Sequence, residues 1–416
     1  MDKFITKESQ NLSGTVYISG AKNAVLPLMT ACIINPGEYT LNNVPILKDT
    51  LTMAKLLEMV GASVEINKNT FTINTKNCNT PFAPYDLVKT MRASFYVLGP
   101  FMSRFNKAQV SLPGGCAWGP RPVDFHLKAL EKMGAKIELS GGYIKASGKL
   151  QGTDIIFDKS SVGATGNVMM AAVRAEGITK IHNGAKEPEI DCLMDFLNLM
   201  GANIYRDENE GIVINGVDQL NDKIEFDVIP DRIEAGTFMI AAAMCKGEVK
   251  LENIIPNHLS IVTDKLIEAG ALIDISENSL LIKMNKRPKS VDMSTAIFPG
   301  FPTDLQAQWM ALMTIADSSC TVTDTIYTDR FTHIAELERL GANIHLDNNV
   351  AHITGVDHLY GAQVMSTDIR ASASLVVAAL SSVGESEISR IYHIDRGYEN
   401  IAQKFQSIGG NIERVK

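Results

Sequence analysis

The chain has 416 residues, 45% of them hydrophobic and 21% charged, a composition that excludes a disordered chain. Single cores stop growing near roughly 250–300 residues, so two domains of about 200 each are expected. A formal net charge of -8 excludes a nucleic-acid partner, although local arginine clusters remain able to bind small anions. The start, MDKFITKESQ, has no hydrophobic signal core, and no apolar run reaches the roughly 18–20 residues of a membrane helix. A cytoplasmic protein without a membrane partner is therefore expected. The six cysteines form no CxxC pair and the eight histidines no HExxH or HxH pattern, so neither metal nor cofactor is expected.

Self-similarity organises the rest. The phrase apolar-Gly-small-x-apolar occurs six times in chain order, as MVGASVEI, KMGAKIEL, LMGANIYR, EAGALIDI, RLGANIHL and SIGGNIER. Its glycines, Gly61, Gly134, Gly201, Gly270, Gly341 and Gly409, are spaced by 73, 67, 69, 71 and 68 residues. Six units of about 69 residues account for the whole chain. In LTMAKLLEMVGASVEI the spacing predicts an amphipathic helix, a stop at Gly61, then a strand through Val64 and Ile66. Each unit also holds a second helix: AVLPLMTACII, ASFYVLGPFM, GNVMMAAVRA, GTFMIAAAMC, LQAQWMALMTIA and ASASLVVAALSS. These are apolar all round and rich in small residues, as a helix buried inside a domain must be. A short strand is predicted after each, in EYTLNNV, AQVSLPG, ITKIHNG, EVKLENI, CTVTDTI and SEISRIY. Three units closing around three buried helices make one α/β domain and three more make the second, with the boundary near Ile229–Pro230. The cleft between two similar halves is the default ligand site.

Two polar positions recur in the repeat. The start of each buried helix carries Lys22–Asn23, Arg92, Thr165, Glu234, Asp304 and Asp368–Arg370. Helix N-termini present partial positive charge and unpaired N–H groups. Thr165, Glu234 and Asp304 taken singly therefore read as caps. Lys22, Arg92 and Arg370 have the wrong sign for stabilising a helix start, which points to anion binding.

The second position is the loop after each short strand, seen in LPGGCAWGPRPVD, NGAKEPEID, DTIYTDRFTH and RIYHIDRGYE. Cys116 lies between Gly114–Gly115 and Gly119–Pro120, with Arg121 close behind. Nearby cations stabilise thiolate, so a reactive cysteine is one reading and a free cysteine in a surface turn is the other. Arg330 and Arg396 occupy equivalent loops, each behind an aspartate (Asp329 and Asp395). Such a pair alone is a surface ion pair of little consequence. Three loop arginines together with Lys22, Arg92 and Arg370 suit a substrate bearing both carboxylate and phosphate, since guanidinium forks bind both. No GxxxxGKS/T and no GxGxxG is present, so a nucleotide triphosphatase or a dinucleotide enzyme has no support.

Taken together, SGAKNAVLPL, GGCAWGPRPVD, KSSVGAT, AKEPEID, VIPDRIEAGTF, PGFPTDLQAQ, DRFTH, DIRASASL and IDRGYE resemble the UDP-N-acetylglucosamine 1-carboxyvinyltransferase family of the EPSP synthase-like superfamily. The resemblance covers essentially the full chain. It implies two similar inverted α/β domains built from the six units, with three buried helices in each. Residues 22–229 then form the first domain, carrying the Cys116 loop, and residues 1–21 with 230–416 the second, with the active site in the cleft between them. It also implies transfer of the enolpyruvyl group of phosphoenolpyruvate to the 3-hydroxyl of UDP-N-acetylglucosamine, releasing phosphate by addition and elimination. That is the first committed step of peptidoglycan precursor synthesis, carried out without cofactor, here expected of a monomer.

At matching positions the resemblance implies that Cys116 is the general acid, forms an adduct with phosphoenolpyruvate and is the target of fosfomycin. With Cys116 it places Asp304, the carboxylate near the sugar hydroxyl, and Lys22 and Arg396 among the catalytic residues. Lys22, Asn23, Arg121, Arg330, Arg370 and Arg396 are implied to hold phosphoenolpyruvate. Asn23, Arg92, Arg121, Pro122, Val123, Asp124, Phe125, Lys159, Ser160, Ser161, Val162, Asp304 and Ile326 are implied nucleotide-sugar contacts. Trp118, Gly166 and Asp329 depart from the family pattern, and IYTDRFTH looks like the second paralogue of some Gram-positive bacteria. One rival is the sister transferase acting on shikimate 3-phosphate, disfavoured by the loop cysteine. The other is a catalytically idle paralogue that binds the UDP-sugar, disfavoured because every matched polar residue is present.

Overall fold

The computed structural model describes residues 2–89, 91–112 and 123–416. It divides into two compact units, one of residues 20–229 and the other of residues 1–19 with 230–416. Each has its own hydrophobic core. The first packs around Tyr39, Phe71, Phe101 and Phe196, the second around Phe4, Phe238, Trp309 and Phe405, all essentially without solvent exposure. Burying one such side chain contributes about 1.5–3 kcal/mol.

The six repeated phrases fold identically. Every one of their first glycines is left-handed, with φ between 87° at Gly409 and 106° at Gly61. The glycine N–H donates to the carbonyl three residues back, Gly61 to Glu58 and Gly270 to Ile267. The next N–H donates to the carbonyl five back, Ala62 to Leu57 and Ala271 to Leu266. The same pair of bonds recurs at Gly134, Gly201, Gly341 and Gly409. This reversal satisfies the last carbonyls of the helix and turns the chain into a strand, and it needs a residue without Cβ.

The apolar helices appear where their composition predicts. They are Lys22–Ala31, Leu98–Phe105 and Val162–Ala172 in one unit, and Arg232–Met244, Gln306–Met313 and Ile369–Ser381 in the other. Small residues let them approach closely: a Cβ added to Gly99 would lie 2.2 Å from the Asn167 carbonyl oxygen. Short 3-10 turns, Arg92–Val97 and Thr303–Leu305, lead into the second and fifth.

Among the described residues, six four-stranded sheets surround these helices, three in each unit. All have one order: a parallel pair, then two antiparallel strands. In the third repeat Asp154–Ile156 pairs parallel with Ile178–His182, which continues antiparallel to Ile212–Asn215 and Asn203–Arg206. That repeat is contiguous in sequence, but three others are not. Ser13–Tyr17 immediately precedes the helix Lys22–Ala31, yet it pairs parallel with Glu248–Glu252 of the fourth repeat. Lys223–Asp227, just before the helix Arg232–Met244, pairs parallel with Glu38–Asn42 of the first. Lys3–Lys7 completes the sixth sheet between Glu385–Ser389 and Ile412–Val415. The first strands of repeats one and four have therefore exchanged units. Among the described residues, no helix is long and apolar enough to cross a membrane.

Candidate active site

A buried charged cluster lies at the helix starts of the unit formed by residues 1–19 and 230–416. Asp304, in the turn that leads into Gln306–Met313, bridges two guanidiniums. Its Oδ1 accepts from Arg330 Nη1 at 2.8 Å and its Oδ2 from Arg370 Nη2 at 2.8 Å. The Arg330 and Arg370 side chains are only 10% and 4% exposed, against 26% for Asp304. Burial alone would raise the Asp304 pKa, but Arg370 and Arg330 outweigh it and hold the carboxyl well below its usual range. Burial disfavours charge on both arginines too, yet Asp304 raises their pKa values. All three groups are charged at any working pH, and the net charge of the cluster is positive.

The loop that carries Arg330 is shaped by one buried carboxylate. Asp324, fully buried one residue past the strand Ser319–Thr323, accepts from the hydroxyls of Thr295 and Thr303 at 2.8 and 2.7 Å. It also accepts from the N–H groups of Ile326 and Tyr327, both at 2.9 Å. The loop winds around it, leaving Ile326 exposed and turning Arg330 inward. Thr303 links the parts, donating to Asp324 and accepting from Arg330 at 3.2 Å. His333 is buried just beyond, its Nε2 3.3 Å from Met310 Sδ. Burial pushes its pKa down to about 4, with Arg330 assisting and Asp368 opposing.

The capping expectation is corrected. Asp231 and Asp368 cap their helices, accepting from Ile233 and Glu234 and from Arg370 and Ala371, and Ser161 accepts from Ala164. Each is the last residue before the helix, where extended backbone lets a short side chain turn back onto free N–H groups. Glu234 and Thr165 lie inside the helix and reach elsewhere. Glu234 accepts from Ser19 N at 2.7 Å and from Lys404 Nζ at 2.8 Å, and Thr165 accepts from Ala185 N at 3.0 Å. The pairing of neighbouring Asp and Arg is corrected too. Asp329 is exposed while Arg330 turns to Asp304, and Asp395 grips Arg414 with both oxygens at 2.8 Å. Adjacent residues on a turn point different ways. Arg396 is half-buried at the end of the turn Ile391–Arg396.

In the unit of residues 20–229, Lys22 is the first residue of its helix and is buried, its Nζ 3.6 Å from Asp49. Asn23 beside it is exposed. Val123, Asp124 and Phe125 are half-buried at the start of the helix Asp124–Lys132, and the Phe125 ring lies 6.1 Å from that of Phe157. Lys159 is exposed, and Ser160, Ser161 and Val162 are half-buried at the next helix start. Gly166 packs under Tyr96 and Leu193, where an added Cβ would come within 3.0 and 3.3 Å. Cys116, Trp118, Arg121, Pro122 and the Arg92 side chain lie outside the described residues.

The other five cysteines, Cys32, Cys78, Cys192, Cys245 and Cys320, are buried and free. Burial pushes Cys78 and Cys320 up to about 11, Cys192 and Cys245 to about 12, and Cys32 higher still. None can supply thiolate near neutral pH. Among the described residues, no group of three or more His, Cys, Asp or Glu is placed to hold a metal ion.

Two units, each of three buried helices wrapped in four-stranded sheets, make up this scaffold, and the chain belongs to the EPSP synthase (3-phosphoshikimate 1-carboxyvinyltransferase) family, whose model it matches over residues 6–405. The fold is that of the enolpyruvyl transferase NikO from Streptomyces tendae, with a TM-score of 0.91 at 22% identity over 100% of this chain and 99% of that one. EPSP synthase from Acinetobacter baumannii gives a TM-score of 0.78 at 19% identity, with both chains covered in full. More particular are the full-length relatives named UDP-N-acetylglucosamine 1-carboxyvinyltransferase. That of Idiomarina loihiensis is 51% identical, with 100% of both chains covered. That of Chlorobium luteolum is 48% identical over 100% of this chain and 99% of its own.

Proposed function

We propose that this chain transfers the enolpyruvyl group of phosphoenolpyruvate to the 3-hydroxyl of UDP-N-acetylglucosamine, releasing phosphate, in the cytoplasmic synthesis of peptidoglycan precursors. The observation that carries the reading is full-length identity of about half to relatives bearing that name. The geometry supplies fitting chemistry. Arg330 and Arg370 offer a buried positive cluster to a donor with a carboxylate and a phosphate, and guanidinium forks suit both groups. In this reading Lys22, Arg121 and Arg396 add further positive charge around the donor, and Asn23 adds a neutral amide that hydrogen-bonds to it. Arg92, the 121–125 segment, the 159–162 segment and Ile326 hold the nucleotide sugar.

In the addition step the acceptor oxygen bonds to C2 of phosphoenolpyruvate while C3 takes a proton, which Cys116 delivers as general acid. The other five thiols are buried with raised pKa values, which supports Cys116 for that task. The hydroxyl proton passes to a carboxylate, for which Asp304 is the candidate. Clamped by two guanidiniums, Asp304 is ionised but a weak base. Anionic substrate drawing those guanidiniums away strengthens it. Elimination then breaks the C2–O bond to phosphate and removes a proton from C3, with the cations stabilising the departing phosphate.

The test is phosphate release from phosphoenolpyruvate with UDP-N-acetylglucosamine or shikimate 3-phosphate as acceptor. Release with the first alone is expected. Release with the second, or tight nucleotide-sugar binding without release, overturns the reading. Cys116→Ser should abolish most turnover while leaving the fold intact. Fosfomycin should inactivate by ring opening, the Cys116 sulfur bonding to an epoxide carbon as its C–O bond breaks, and the modified peptide is read by mass spectrometry.

A further inference from the structure

The motif IDRGYE contains a residue with no role so far. Tyr398 is buried, and the Arg370 guanidinium stands over its ring, 5.5 Å from the centroid. Its hydroxyl lies 2.9 Å from that of Thr237 and accepts from Gln308 Nε2 at 3.1 Å, while Gln308 Nε2 also donates to Thr237 Oγ1 at 3.2 Å. Thr237, Gln308 and Arg370 belong to the three different buried helices of this unit. The phenol is therefore tied to two helices and its ring face is offered to the cation on the third. Gly397 permits the approach, since a Cβ there would lie 2.4 Å from Ile369 Cγ2.

Arg370 needs that second restraint. Its side-chain hydrogen bond runs from Nη2 to Asp304, and Nη1 is buried with no hydrogen-bond partner among the described residues. Beyond that bond the planar guanidinium is restrained by Tyr398, through its ring and through a polar interaction with its hydroxyl. A second carboxylate would fix it but would also compete with an anionic substrate for the same charge. An aromatic face holds the cation through its quadrupole and leaves the N–H groups available.

We propose that Tyr398 is a positioning residue that fixes the Arg370 guanidinium for phosphoenolpyruvate, an inference that rests on the function proposed above. Tyr398→Leu removes the ring and Tyr398→Phe keeps it. Tyr398→Leu should raise KM for phosphoenolpyruvate about tenfold or more, the size of a desolvated cation–π contact. KM for the nucleotide sugar should stay within about twofold, and Tyr398→Phe should recover most of the phosphoenolpyruvate loss. Equal rises in both KM values, or an unchanged phosphoenolpyruvate KM in a folded Tyr398→Leu protein, overturns the assignment. If melting shows Tyr398→Leu unfolded, Tyr398→Met serves in its place. A wild-type protein without turnover would sink the functional reading instead. Phenylglyoxal labelling of Arg370, followed by mass spectrometry, then still decides the positioning claim. Faster labelling in the ringless variant supports it and an equal rate refutes it.

Discussion

In the unit of residues 20–229 the buried helices begin at Lys22, behind the turn opened by Arg92, and behind the neutral cap Ser161. In the unit of residues 1–19 and 230–416 the equivalent starts carry Glu234, Asp304 and Arg370, each with an opposite charge within 2.8 Å. The sheets are alike in order and the glycine stops are alike in bonding, so backbone architecture does not account for the difference. What differs is how the polar positions are filled. One unit holds Arg330 and Arg370 in a tight ionic lattice that spans helix starts and a loop. The other holds Lys22 beside Asp49 at a looser 3.6 Å. A duplicated scaffold can thus keep its core rules while its helix starts are assigned separate tasks.

The sharpest way to break this comparison is to delete the acid from each arrangement. Asp304→Ala leaves two buried guanidiniums without their carboxylate, and unfolding in urea should lose about 3 kcal/mol or more, as for other broken buried pairs. Phosphate release should fall by a hundredfold or more, in the range of a lost general base at about 10²–10⁴. Asp49→Ala removes the 3.6 Å pairing with Lys22 and should cost less, about 1–2 kcal/mol. Equal losses would show that the two arrangements are energetically the same.

Next in size is a pH effect confined to the clamped cluster. The folded pKa of His333 is about 4, whereas an unfolded histidine titrates near roughly 6.5. Above the unfolded value the group is neutral in both states and its contribution is complete. As pH falls from 6.5 towards 4 the unfolded chain takes the proton first, so stability is lost across that window and no further below it. The loss is about 3 kcal/mol at most. His333→Gln should flatten the fall in urea midpoint between pH 7 and pH 5. An unchanged slope would remove His333 from the account.

The smallest effect compares the glycine stops. A Cβ on Gly270 meets nothing within 4 Å, whereas one on Gly61 would lie 2.7 Å from the Asn77 carbonyl oxygen. Gly270→Ala should therefore cost only the left-handed backbone strain, about 1 kcal/mol. Gly61→Ala should cost measurably more in the same melting experiment. Reversal of that order would mean that the turns are not equivalent.

The helix-strand phrases, the apolar helices and the short strands were legible because each depends on residues within a turn or two of one another. Cap assignment failed at Glu234 and Thr165 because a polar residue near a helix start can either turn back or reach across. The neighbours that decided lay far along the chain, at Ser19, Lys404 and Ala185. Likewise Asp324, His333 and Tyr398 carried no periodic signal of their own. Their roles appear once the loop has wound around a carboxylate and three helices have met beneath one phenol.

By itself the sequence determined six units, their glycine reversals and a set of cations at recurrent positions, because periodicity and left-handed turns are short-range properties of the chain. Only the tertiary structure decided that Ser13–Tyr17 joins the sheet of Glu248–Glu252 and that Lys223–Asp227 joins that of Glu38–Asn42. It alone decided that Asp304 faces Arg330 and Arg370. A five-residue strand fits any compatible sheet edge, and a carboxylate answers any nearby cation, so the choice falls to whichever partners core packing brings within reach.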